Sequence, residues 1–131
     1  MNSKLAVTIR MGSASIATLV ACVLMNNTST LIRTSAIIMT CAGWLFAGLK
    51  VRLIGLIHGV LMLVMGGYLL SLCLPFFLNP PGMVDNAAAG LIALTNFVAA
   101  IIGVVTFTSG VAIISLILSL RADGNGTQKP Q

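Results

Sequence analysis

Acidic residues are almost missing from this chain. Two aspartates, Asp85 and Asp123, stand against seven Lys and Arg in 131 residues, and charged residues of every kind make up only 7%. A soluble domain carries roughly 25% charged residues, so there is too little polar surface here to clothe a water-facing globule. The single histidine, His58, is the one imidazole. No Ser-His-Asp, Cys-His or HExxH arrangement can be assembled from it, so the chain is expected not to be an enzyme. No carboxylate lies inside an apolar run. Ion-coupled carriers and rotary proton rings rely on one to exchange a proton or cation, and those classes recede. There is no Walker loop, and aromatics, at 5%, do not interleave with a basic stripe, so direct nucleic-acid binding is not expected. Cys22, Cys41 and Cys73 each sit in an apolar segment with no metal-ligand spacing. They read as small buried hydrophobes rather than as a disulfide framework or metal site.

What is present is hydrocarbon. The chain is 58% hydrophobic, with a mean hydropathy of +1.09. The expected class is therefore an all-α integral membrane protein of one domain, residues 1–120, with a polar, mobile tail over 121–131. The stretch from Lys50 to Phe77 sets the pattern: two cations, then apolar residues with no further charge, closed by the turn Asn79-Pro80-Pro81-Gly82. About 20 apolar residues cross a ~30 Å hydrocarbon core as a helix, and residues 53–77 exceed that length.

Three further apolar helices are expected. Residues 11–26 follow the positive start carrying Lys4 and Arg10 and end at Asn26-Asn27-Thr28-Ser29-Thr30. So short a helix must borrow from its flanks, thin the bilayer or sit shallowly. A basic start with a short apolar run also describes a signal peptide, and Leu19-Val20-Ala21-Cys22 looks like a lipoprotein cleavage box. Because the residues after Cys22 stay apolar, a retained membrane helix is the favoured expectation. Residues 34–49 carry Trp44 near their basic end, where interfacial aromatics are common. The tight turn Lys50-Val51-Arg52 then makes this helix and the next an antiparallel hairpin. Residues 87–120, capped by Asn86, would form a helix too long to cross once upright. Its N-terminal part is expected to lie in the interface or project, with Gly103 or Gly110 as the alternative break points.

Four crossings with both ends inside place Lys4, Arg10, Lys50, Arg52, Arg121 and Lys129 on the inner side and leave Arg33 and Asp85 outside. That split follows the positive-inside bias. An N-in, C-in protein of a bacterial inner membrane is the expected setting.

Small residues recur at helical spacing. Gly55 and Gly59 form a GxxxG pair, with Gly66 and Gly67 a heptad beyond, and Gly43/Ala47 and Ala99/Gly103 repeat the spacing of four. Such positions let helix backbones approach closely, where dispersion replaces the hydrophobic drive that lipid removes. Whether they serve one chain or join copies of it, in a homo-oligomer or a multi-subunit assembly, is open at this level. His58 lies less than two turns from Arg52. A polar group in a span marks function often enough to name, but a neutral imidazole can satisfy itself on a backbone carbonyl, and a structural role is expected. Lys50 and Arg52 could meet lipid phosphate or a partner's acids, or simply anchor the turn. A bound phospholipid is the one small molecule this composition invites.

The hairpin over 34–78 resembles the pilin subunits of conjugative and other type IV secretion systems. There, a small-residue-rich apolar helix meets a short basic turn and a second Gly-rich apolar helix. Here the matching parts are TSAIIMTCAGWLFAGL, KVR and LIGLIHGVLMLVMGGYLL. The resemblance implies subunits extracted from the inner membrane into an extracellular helical pilus, with Lys50 and Arg52 facing a lumen where they meet headgroups or transported nucleic acid as cargo. The long segment 87–120 departs from that pattern, as does the short N-terminus. A structural, self-assembling pilin-like subunit is thus one expectation. The alternatives are a holin-like pore-former and a small accessory subunit of a membrane transport complex.

Overall fold

A computed structural model of the protein describes residues 3–79 and 87–126, with side chains up to Arg121. Among these residues there are four helices: α1 (Ser3–Leu24), α2 (Thr30–Leu49), α3 (Arg52–Leu78) and α4 (Ala87–Gly126). All four are long and apolar enough to cross a membrane. The fold is an all-α bundle in which α1 packs on α2 and α4, α2 on α3, and α3 on α4, so the ring closes within one chain.

Helix α1 begins at Ser3, well before residue 11. Its polar residues turn back on their own helix: Thr8 Oγ1 donates to the Lys4 carbonyl at 2.8 Å and Arg10 Nε to the Ala6 carbonyl at 3.3 Å. Cations at the start therefore extend the helix rather than delimit it. Its 22 residues span ~33 Å, and no thinning of the bilayer is needed. Helix α2 likewise starts at Thr30 and carries Arg33 in its first turns. The link between them is a turn in which the Ser29 amide donates to Asn27 Oδ1 at 2.9 Å.

Between α2 and α3 only Lys50 and Val51 are non-helical. Lys50 adopts the left-handed conformation (φ 58°), and its N–H bonds the Phe46 carbonyl at 3.0 Å. That geometry usually goes to glycine, because a Cβ there costs roughly 1–2 kcal/mol. Helix α4 is continuous over 40 residues, without a break at Gly103 or Gly110, because both glycines are used in packing on α3. Gly59 lies opposite Gly110 and Gly66 opposite Gly103. The same antiparallel packing brings Gly55 against Ile117 toward the basic end. At 40 residues α4 is longer than the 27-residue α3 it packs on, and Leu120 near its end still lines a cavity with Val7 and Arg10 of α1. Arg121 to Gly126, expected in a mobile tail, continue the helix. The Pro80-Pro81-Gly82 turn, Asp85, the Asn86 cap and residues 127–131 lie outside the described residues.

The interior holds small and flexible side chains: Ala17, Val20, Ala21, Leu24, Ala36, Met39, Met62, Met65 and Leu69 form one cluster. Phe46, Ile113 and Ile117 form a second toward the end where the basic turn lies. The perimeter is built of large apolar residues such as Leu19, Leu31, Leu53, Leu78 and Leu91, all more than 60% exposed. In water that surface would be a liability; against lipid tails it is in its own solvent. Cys73 is buried, but Cys22 and Cys41 are exposed on this perimeter, so two of the three cysteines are not the buried hydrophobes expected. Both fall on the lipid-facing stripe of their helices, where a small apolar side chain is equally tolerated.

Candidate functional site

His58 is one of three buried polar side chains among the described residues, with Ser13 and Thr106. It lies six residues beyond Arg52, ~9 Å along α3, and is fully buried. Two hydrogen bonds hold its ring. Nδ1 is 2.9 Å from the Met39 carbonyl oxygen of α2, and Nε2 is 3.0 Å from Ser13 Oγ of α1. A carbonyl only accepts, so Nδ1 carries the proton and donates. In the neutral ring Nε2 is then an acceptor, and the Ser13 hydroxyl donates to it. One imidazole thus ties α1, α2 and α3 together with no polar atom of its ring unpaired, which is what a buried polar group requires.

Gly43 provides the room. A Cβ at that position would stand 2.6 Å from His58 Cε1 and 2.9 Å from Nδ1, well inside contact distance. Ser13 Oγ is also 3.2 Å from the Arg10 carbonyl. Its single proton can go to only one of the two acceptors. Were His58 to take a second proton, Nε2–H would donate to Ser13 Oγ and the hydroxyl would turn to the Arg10 carbonyl. The hydroxyl rotor therefore keeps both ring nitrogens hydrogen-bonded in either form.

Other polar links reinforce the α1–α2 side. Trp44 Nε1 donates to Thr18 Oγ1 at 2.9 Å, and Thr40 Oγ1 lies 3.2 Å from the Ala17 carbonyl. The α3–α4 side instead relies on close backbone approach. A Cβ at Gly66 would meet the Phe107 backbone nitrogen at 2.7 Å, and one at Gly110 would meet the Gly59 carbonyl at 2.9 Å. Gly103 sits against Leu70 and the Gly66 carbonyl, and Gly59 against Ile113 and Ile114. Gly55 faces Phe46 and Ile117. Gly67 is different: a Cβ there meets nothing within 4 Å, so it does not serve packing among the described residues. It is rotated ~100° from Gly66, away from α4. Ala47 is half-buried. Ala99 is half-buried too and lines an apolar cleft of about 330 Å³ with Val23, Leu69 and Leu94.

Lys50 and Arg52 are exposed at the basic end. They line a cavity of about 470 Å³, whose wall also includes Arg10 of α1. Lys50 and Arg52 stand out in the sequence as a basic turn, whereas Arg10 does not. His58 stands out in the sequence too, but Ser13 and the Met39 carbonyl do not. A serine in a helix of small residues carries no signal of its own, and nothing in the spacing joins position 13 to position 58. Among the described residues no three His, Cys, Asp or Glu side chains come together as a metal site would need. Neither protein families, nor curated proteins, nor solved structures yield a match to this chain.

Proposed function

We propose that the chain is a structural membrane subunit, a self-contained four-crossing unit that acts as an accessory component of a larger membrane assembly. The observation that carries this reading is where its small residues go. Gly43, Gly55, Gly59, Gly66, Gly103 and Gly110 each meet another part of the same chain, leaving a perimeter of large apolar side chains. A pilin-like protomer that left lipid for contacts with its own copies would be expected to keep such faces outward. The buried polar side chains, Ser13, His58 and Thr106, all bond protein groups: Ser13 and His58 link α1, α2 and α3, and Thr106 bonds the Ile102 carbonyl of its own helix, which supports a structural role rather than chemistry on a substrate. The charge distribution supports an N-in, C-in orientation in a bacterial inner membrane.

A pilin-like role in conjugation or type IV secretion remains the second reading, favoured by the α2–α3 hairpin with Lys50 and Arg52 at its tip. Purification in mild detergent followed by electron microscopy separates the readings. Discrete particles that contain this chain with other proteins support the accessory subunit. Filaments of this chain alone would overturn it in favour of the pilin, and rings that permeabilise membranes would overturn it in favour of a holin.

A further inference from the structure

Three cations from three separate elements meet at the basic end of the bundle. Arg10 comes from the second turn of α1, Lys50 is the left-handed residue that ends α2, and Arg52 is the first residue of α3. They share the wall of one cavity of about 470 Å³ with apolar residues that include Val7, Phe46 and Leu116. Among the described residues none of the three meets a carboxylate. The chain as a whole carries only two acids against seven Lys and Arg, and Lys4 and Arg121 lie near the same end of the bundle. Helix α3 adds a further positive contribution. Val51 caps it without a side-chain bond, and the first amide with a backbone partner at this end is that of Gly55, bonded to the Val51 carbonyl at 3.1 Å. The amides of residues 52–54 have no acceptor within their own helix and lie at the positive end of its dipole.

A pocket with clustered cations at its rim and hydrocarbon along its wall matches an amphiphile with an anionic head. A bare phosphate would use only the rim and leave the Val7–Phe46–Leu116 wall exposed. We propose that this cavity is a binding site for one anionic phospholipid, with its phosphate between Arg10, Lys50 and Arg52 and an acyl chain against the apolar wall between α1 and α4. The proposal depends on the membrane setting of the bundle and not on the accessory-subunit reading, so either can fail without the other. Arg10 is what distinguishes it from a simple anchored turn. Its position on α1 makes the site a clasp between the first helix and the α2–α3 hairpin.

The test is native mass spectrometry of the full chain released from detergent with added phosphatidylglycerol or phosphatidylcholine. The expected result is one retained phosphatidylglycerol per chain and weak retention of phosphatidylcholine. Arg10→Gln, Lys50→Gln and Arg52→Gln should each weaken retention about fivefold, the effect of one basic residue at an anionic membrane surface. Val7→Trp, which keeps every charge but narrows the cavity, should weaken it as well. The double variant Lys4→Gln/Arg121→Gln, which removes charge from the same end but not from the cavity wall, should leave it unchanged. Equal retention of the two lipids would overturn the proposal, as would a loss in the Lys4/Arg121 variant equal to that in the wall variants. Indifference to Val7→Trp would place any lipid outside the cavity and overturn it too. Displacement of the lipid by millimolar inorganic phosphate would recast the site as one for free anions and reject the lipid.

Discussion

His58 and Gly43 occupy one space: the imidazole of α3 fills the volume that a side chain on α2 would need, with 2.6 Å between Cε1 and the position of the missing Cβ. The ring cannot retreat without giving up the Met39 carbonyl at 2.9 Å. Gly43→Ala is therefore expected to destabilise the bundle by about 1–3 kcal/mol, the range for overpacking in a tight core. The same substitution in a His58→Ala background should cost much less, because the clash is gone. A thermal or denaturant melt of the four proteins in one detergent checks this. Additive losses would mean that the two residues do not share the site.

Ser13 satisfies the far side of the ring. Ser13→Ala should leave Nε2 buried without a partner, at a cost of about 1–3 kcal/mol. Ser13→Thr, which keeps the hydroxyl, should recover part of it. The same melts measure both. Proton NMR of the imidazole would separately show the Nδ1–H tautomer held in the wild type, since the Met39 carbonyl can only accept.

Arg33 stands in the first turns of α2, and its Nε is buried with no hydrogen-bond partner among the described residues. An unsatisfied buried donor costs about 1–3 kcal/mol. Arg33→Met keeps the aliphatic stem and removes the donor, so it should raise the melting temperature in detergent. A fall would show that the guanidinium is satisfied by lipid or water at that end.

Much of the architecture was legible from the sequence, because apolar length and charge placement are one-dimensional signals. Four helices, the tight turn at Lys50 and a continuous helix from residue 87 follow from them. Helix starts were less so. Lys4, Arg10 and Arg33 look like flanks, yet each lies inside a helix, where long side chains can bond their own carbonyls or reach toward the ends. Small-residue spacing marked the seam residues Gly59, Gly66 and Gly103 without saying which helix each would meet. It could not separate Gly66 from Gly67, which differ only in direction. The site at His58 was half visible. A histidine in an apolar run stands out, whereas its partners are a serine among small residues and a backbone carbonyl, which only the packing of three helices brings together.

The central claim is that the glycine seam lies within one chain, and a pair of neighbouring substitutions tests it most directly. Gly66→Ala places a Cβ 2.7 Å from the Phe107 backbone nitrogen, whereas Gly67→Ala meets nothing within 4 Å. Both should be melted in lipid nanodiscs loaded with a single copy of the protein. The account predicts a loss of about 1–3 kcal/mol for Gly66→Ala, and for Gly67→Ala no loss or a gain of up to ~1 kcal/mol from helix propensity. If the two variants melt alike in single-copy discs and differ only when several copies share a disc, the seam joins separate molecules and the account is wrong.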